Sequence, residues 1–241
     1  MDIWSVYLRP ILESGKDWMQ ILPFMNAQLQ AKIQKFRQPE DQLRTLCGEL
    51  LLQKHALERW GISPSELVKK YNAYGKPELA EYPSYHYNIS HSGDWVVAAF
   101  ANKPVGIDME TKANPVDISI AERFFTPSEV SLLREQNEEQ QQSLFYELWT
   151  LKESYIKAEG SGLSIPLDSF SFEFREQNQE HNNKENNNVK FYRSGKLDTR
   201  WYFKQYRIDP GYALAVGGRE PDFPEQVEAV RWDKLISVIC K

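Results

Sequence analysis

Apolar and polar residues alternate along residues 2–8, as in a strand with one buried face. The spacing then becomes helical over about residues 24–36 and 42–60, and Gly61 stops the second of these helices. Ser63-Pro64-Ser65-Glu66 has the form of a capping box with proline in the first turn, which predicts a further helix ending near Lys70. Tyr74-Gly75-Lys76-Pro77 reads as a turn. Stretches 85–89, 95–100 and 105–110 are rich in aromatic and β-branched residues, are separated by Gly93-Asp94 and Asn102-Lys103-Pro104, and are predicted strands.

The second half of the chain repeats this order. Thr126-Pro127-Ser128-Glu129 is another capping box, and a long helix is expected from about residue 143 to 159, closed by Gly160 and Gly162. Strands are predicted at 170–174, 189–192, 201–206 and 213–217. Leu43, Thr45 and Leu46 recur with the same spacing as Leu148, Thr150 and Leu151, a faint mark of duplication. Residues 135–142 and 177–188 have almost nothing to bury and are expected to be mobile surface loops.

The 241 residues, 41% of them hydrophobic, suffice for one large domain or two small ones. No apolar run reaches the roughly 18 residues of a membrane span, and the N-terminus lacks the layout of a signal peptide, so a cytoplasmic, membrane-free protein is expected. Two cysteines, Cys47 and Cys240, are too few for a disulfide framework, and four histidines offer no zinc spacing. A formal charge of -5 argues against general nucleic-acid affinity. Lys32, Lys35, Arg37, Arg44 and Lys54 nevertheless cluster in one stretch of helical pattern, which suits either an anionic ligand or a solvated face.

The chemistry concentrates in two places. Along Gly106-Ile107-Asp108-Met109-Glu110, strand alternation puts Asp108 and Glu110 on one face with Cα atoms roughly 6.5 to 7 Å apart. Completed by a helix carboxylate, Glu153, this pair would suit a hard cation such as Mg²⁺, and Lys157, one turn beyond Glu153, would reach a phosphate beside it. Each piece has a plainer reading: acids alternate on exposed sheet edges, and Glu153 with Lys157 is an ordinary i,i+4 surface pair. Asn88-Ile89-Ser90-His91-Ser92-Gly93 could converge on a phosphate or simply cap a turn. Ser90 and His91 do not make a hydrolase pair, since no Gly-x-Ser-x-Gly elbow is present.

Taken in order, Tyr74-Gly75-Lys76-Pro77, Asn88 to Gly93, Gly106 to Glu110, Arg123-Phe124-Phe125 and Trp149 to Lys157 running on to Gly160 resemble the 4′-phosphopantetheinyl transferases of the surfactin-synthetase-activating (Sfp) type. Asp209-Pro210-Gly211-Tyr212 and Pro221-Asp222-Phe223-Pro224 extend the likeness to nearly the whole chain. The resemblance implies an α+β monomer of two similar α+β halves related by a pseudo-twofold, residues 1–103 and 104–241, with the C-terminal tail packing back on the first half and coenzyme A bound in the cleft between them. It implies Mg²⁺ on Asp108, Glu110 and Glu153, phosphate contacts from Lys157 and His91, 3′-phosphate contacts from Lys32, Thr45 and Ser90, and adenine contacts from Tyr74, Gly75 and Lys76. Leu29 departs from the family's pattern, which often has a second lysine there.

The implied reaction moves phosphopantetheine from coenzyme A to a serine of an acyl- or peptidyl-carrier domain and releases adenosine 3′,5′-bisphosphate, with Glu153 as base and Lys157 at the departing phosphate. Fatty-acid, polyketide and non-ribosomal peptide pathways, antibiotic biosynthesis among them, all use such carriers. Two other functions compete with this one. A Mg²⁺-dependent nucleotide phosphohydrolase would use the same acids, although no P-loop is present; a non-catalytic coenzyme A- or carrier-binding module would not need them.

Overall fold

Val96, Ala98 and Phe100 face one way along a single strand and Val97 and Ala99 the other, and all five are buried. A strand buried on both faces needs cover on both, and that need sets the layering. The computed structural model describes residues 1–15, 17–174 and 189–239. Residues 177–188, expected to form a mobile loop, and Cys240 lie outside the described residues, while Cys47 is buried and unpaired.

Twelve strands are described: β1 Asp2–Tyr7, β2 Lys69–Tyr71, β3 Pro77–Leu79, β4 His86–Ser92, β5 Trp95–Ala101, β6 Val105–Thr111, β7 Phe170–Phe174, β8 Val189–Arg193, β9 Lys196–Leu197, β10 Tyr202–Gln205, β11 Tyr212–Gly218 and β12 Glu228–Ala229. The α-helices are α1 Arg9–Glu13, α2 Ala27–Ile33, α3 Pro39–Trp60, α4 Ala121–Phe124, α5 Pro127–Arg134, α6 Glu138–Glu159 and α7 Trp232–Leu235. One sheet has the order β12-β1-β5-β4 and a second β10-β11-β6. Strands β2 and β3 form a hairpin, and β7-β8-β9 a third sheet. No described helix is long and apolar enough to cross a membrane.

The apolar contacts fall into three sets. Helix α3 lays Leu43, Leu46 and Leu50 on Trp4, Val96 and Phe100. The opposite face of that sheet, with Ile3, Val97 and Ala99, packs on Ile107, Met109, Leu214 and Val216 of the second sheet. Helix α6 covers the far side, where Leu151 and Tyr155 meet Phe170, Phe191, Phe203 and Ala215. The result is helix, sheet, sheet, helix, an α+β architecture. Each 22-residue helix ends at a left-handed glycine, Gly61 or Gly160. The recurring Leu43/Leu46 and Leu148/Leu151 pairs are among the buried positions of these two helices.

Side chains join the two sheets where the backbone does not. Asn88 Oδ1 accepts the Ile107 N–H at 2.9 Å, Ser90 Oγ the Met109 N–H at 3.3 Å and Ser92 Oγ the Thr111 N–H at 3.0 Å. Both numbers rise together, so β4 and β6 run parallel, and alternate side chains of β4 stand in for backbone carbonyls along the edge of β6. A second tether closes the opposite end. Lys76 Nζ donates to Val105 O and Ala158 O at 3.3 and 3.0 Å, and Asn72 Nδ2 to Gly160 O at 2.8 Å, which satisfies carbonyls at the C-terminus of α6. Burial lowers the Lys76 pKa to about 8. The tail from Glu228 returns to the first sheet: β12 pairs parallel with β1, and Leu235 and Val238 join the core beneath α3.

A buried ion pair fixes α6 on its other side. Lys152 and Glu129, at 0% and 1% side-chain exposure, lie 2.8 Å apart. Such a pair is tolerable only when every remaining donor and acceptor finds a partner. Lys152 also donates to Leu167 O and Phe170 O, and Glu129 accepts from the Thr126 N–H and hydroxyl and from the Phe172 N–H. The glutamate of the second capping box therefore holds α5, α6 and β7 together.

Three sequence expectations are corrected. The loop expected over residues 135–142 is only residues 135–137: Asn137 caps α6 by accepting the Gln140 N–H, and Gln142 reaches Lys112 O and Asn114 O, so the helix begins at Glu138. The box at Ser63 forms but caps only the 3₁₀ turn Pro64–Glu66, because Lys69–Tyr71 pair with Pro77–Leu79. The helix expected over 24–36 is shortened to α2, since Phe24 belongs to the 3₁₀ turn Trp18–Phe24 and Asn26 caps a new start.

Gly106 sets how closely α6 lies on β6. A Cβ there would sit 2.1 Å from Ser154 O and 2.4 Å from Ala158 N, both backbone atoms of the helix. Gly106→Ala should therefore destabilise the protein by at least about 2 kcal/mol in urea unfolding, the cost of an overpacked core site. An unfolding midpoint equal to wild type would contradict this packing.

Candidate active site

Because Gly106 faces α6, so do Asp108 and Glu110 by alternation. Their partners across β11 are Ala215 and Ala213, and Gly106 pairs with Gly217, so only small side chains flank the two acids on that strand. Helix α6 crosses this face and supplies Glu153 and Lys157. Asp108 is 3% exposed. Its Oδ1 accepts hydrogen bonds from Ser90 Oγ at 3.1 Å and Lys157 Nζ at 2.5 Å, whereas its Oδ2 is buried without a partner. Glu110 accepts from Ser92 Oγ at 3.1 Å.

The three carboxylates feel one another. Desolvation first, then the Asp108 charge, raises the pKa of both Glu110 and Glu153. Among the described residues no three His, Cys, Asp or Glu side chains are grouped tightly enough to hold a metal ion as they stand. The donor set nevertheless fits a hard divalent cation: it is all oxygen, its members repel, and one buried carboxylate oxygen lacks a donor. Lys157 supplies the only positive charge bonded to Asp108 among the described residues.

Beside this cluster lies a cavity of about 650 Å³ bounded by α2, α3, β4 and the β2–β3 hairpin. Gly48 lets α3 approach β4, its notional Cβ 3.2 Å from Ile89. Lys32, Lys35, Arg44, Thr45, Gly75 and His91 line the cavity. Arg44 is held by Asp41 at 2.6 Å and by Gly93 O at 2.8 Å, and Thr45 Oγ1 donates to Asp41 O at 2.9 Å. Among the described residues neither Lys32 nor Lys35 has a carboxylate within ion-pair distance, so an acidic chain carries uncompensated positive charge here. Although His91 is exposed, partial desolvation and then the charges of Arg44 and Lys157 lower its pKa. A larger groove of about 770 Å³ between α5, α6 and β7 is lined by Glu129, Glu147 and Glu173 with no basic side chain, which disfavours an anionic ligand.

The expected site residues thus divide. Lys32, Thr45, Gly75 and His91 line the cavity, and Asp108, Glu110, Glu153 and Lys157 meet beside it. Ser90 does not join His91: adjacent strand positions face opposite ways, and Ser90 points into the seam at Asp108. The Lys76 ammonium bonds to Val105 O and Ala158 O. Tyr74 is 61% exposed at the hairpin tip, outside the cavity lining, where Tyr71 appears instead. Leu29 lines the cavity with Lys35 and Arg44 as neighbouring cations. Lys54 pairs with Glu58 and takes no part. Phe125, of the Arg123-Phe124-Phe125 run, is packing: it stacks on Phe145 at 5.3 Å beneath Trp149. Lys69 and Tyr71 went unnoticed in the sequence because a helix was expected there.

Comparison with known proteins gives consistent results across the chain. Residues 104–217 match the 4′-phosphopantetheinyl transferase superfamily and residues 12–103 the 4′-phosphopantetheinyl transferase N-terminal family. The 4′-phosphopantetheinyl transferase Sfp of Bacillus subtilis (strain 168) is 36% identical over 244 residues, covering 98% of this chain and 100% of that protein. The 4′-phosphopantetheinyl transferase ffp of Bacillus subtilis is also 36% identical, with the same coverage. The human L-aminoadipate-semialdehyde dehydrogenase-phosphopantetheinyl transferase is 31% identical over 91% of this chain and 75% of its own length. With relatives of this identity aligned end to end, the chain belongs to the 4′-phosphopantetheinyl transferases of the Sfp type.

Proposed function

We propose that this enzyme transfers 4′-phosphopantetheine from coenzyme A to a serine hydroxyl of an acyl- or peptidyl-carrier domain, releasing adenosine 3′,5′-bisphosphate. The observation that carries the reading is the adjacency, through His91 and Lys157, of a basic cavity in which Lys32 and Lys35 have no carboxylate partner among the described residues to the carboxylates around the orphaned Asp108 Oδ2. One binds the phosphates of a nucleotide, and the other suits a cation on its pyrophosphate. Residues 1–103 would grip the nucleotide through Lys32, Lys35, Arg44, Thr45 and His91; residues 104–241 would supply the carboxylates, the catalytic helix and the carrier-docking face. The protein would act as a cytoplasmic monomer, and its acidic charge gives it no general hold on nucleic acid.

Asp108, Glu110 and Glu153 would hold Mg²⁺, which neutralises charge on the pyrophosphate when bound. Glu153, directly or through a bound water, would take the serine proton as the hydroxyl oxygen attacks phosphorus. The phosphorus–oxygen bond to adenosine bisphosphate then breaks. Lys157, partly exposed and joined to Asp108, exchanges that carboxylate for the departing phosphate.

The test is to incubate the protein with coenzyme A, Mg²⁺ and an apo-carrier domain and weigh the carrier. A phosphopantetheine mass gain is expected; hydrolysis of coenzyme A without a carrier would favour a phosphohydrolase, and neither result would favour a binding module. Asp108→Ala should cut the rate at least about 100-fold in a folded protein, given that even indirect damage to metal sites costs about 10- to 100-fold. Glu153→Gln and Lys157→Ala should separate in calorimetry: the first loses turnover and keeps coenzyme A affinity, and the second weakens that affinity. Equal affinity in Lys157→Ala and wild type would remove the lysine from the phosphate site.

His91 adds a pH dependence. Its pKa is lowered in the free protein, and a phosphate in the cavity supplies the counter-charge that raises it again. Binding then takes up a proton, so coenzyme A affinity is greatest below the free-protein pKa and declines as pH rises through the bound-state pKa. Titrations in buffers of different ionisation enthalpy should show proton uptake near neutral pH that His91→Gln abolishes. Uptake unchanged in the variant would contradict the assignment.

A further inference from the structure

The rungs between β4 and β6 are not equivalent. Ser90 Oγ accepts the Met109 N–H and a bond from Lys157 Nζ at 3.2 Å, so its single proton is left for the Asp108 carboxylate. Ser92 Oγ accepts the Thr111 N–H, and its proton goes to Glu110 Oε2. In both cases the serine takes the N–H of one β6 residue and donates to the carboxylate of the residue before it. Asn88 repeats the first half of this pattern with Ile107, but the residue before Ile107 is Gly106, which has no carboxylate to receive a bond. Three rungs hold the sheets together, and only the two serine rungs also grip acids.

We propose that Ser90 and Ser92 are positioning residues for the cation site: each fixes one oxygen of a β6 carboxylate and leaves the other oxygen to the ion. A hydroxyl that accepts a backbone N–H keeps its proton for the neighbouring carboxylate, and that donated bond favours the ionised form a cation needs. Asp108 shows the outcome, with Oδ1 held twice and Oδ2 free of any protein donor. Strand β4 of the first half thereby sets the orientation of ligands on β6 of the second, and the site depends on the relative register of the two halves. This inference rests on the proposed Mg²⁺ role of Asp108 and Glu110.

The test uses Mn²⁺ as the probe, followed by electron paramagnetic resonance of the full chain saturated with coenzyme A, with a coenzyme A blank subtracted. Ser92→Ala should weaken Mn²⁺ binding about tenfold or more, the usual loss when a partner of a metal ligand is removed, and Ser92→Thr should restore it to within about threefold. Asn88→Ala is the control for the seam: its melting temperature should fall while its Mn²⁺ affinity stays at the wild-type value. Wild-type affinity in Ser92→Ala, failed rescue by threonine, or an equal loss in Asn88→Ala would overturn the positioning role and leave the metal reading standing. Absence of saturable Mn²⁺ binding in wild type would overturn both.

Discussion

The N–H groups along one edge of β6 have no strand beside them to accept their bonds, and the structure depends on how that deficit is met. A buried N–H left unpaired costs free energy comparable to a lost hydrogen bond, about 1 to 3 kcal/mol. Asn88, Ser90 and Ser92 remove the deficit with side chains. In doing so they place the first sheet in a fixed register against the second. The cavity formed by α2, α3 and β4 then opens beside the acids of β6, although β4 and β6 belong to different sheets.

Charge acts on top of this frame. An acidic chain concentrates positive charge around the cavity and negative charge on the α6 side of β6, and His91 and Lys157 lie where the two meet. The helix that carries Glu153 and Lys157 can lie so low only because β6 and β11 present Gly106, Gly217 and Ala215 to it. It is locked from behind by Lys152 and Glu129 and at its end by Lys76 and Asn72. Each catalytic candidate is thus attached to an element fixed on two sides, which is the rigidity that chemistry by positioning requires.

Much of this was legible in the sequence because period and register are local. Alternation alone put Asp108 and Glu110 on one face and Ile107 and Met109 in the core, and the structure agrees. The glycine stops at Gly61 and Gly160 were equally clear. The errors arose where a distant partner overrode a local signal. The capping box at Ser63 yielded to a strand pairing, and the glutamine-rich start of α6 found carbonyls at Lys112 and Asn114 that no local pattern announces. The ligand roles that the resemblance implies for Ser90 and Lys76 are a separate matter from these errors: in the structure their side chains bond to β6 and the end of α6.

If the β4–β6 seam organises the active site, the amides of Ile107, Met109 and Thr111 are locked in the native state. Native-state hydrogen exchange, read residue by residue, measures this directly. The account predicts protection of these three amides close to that of the most protected core amides, such as Val97 and Val216. Exchange at the rate of surface loops, with Val97 and Val216 still protected, would contradict it.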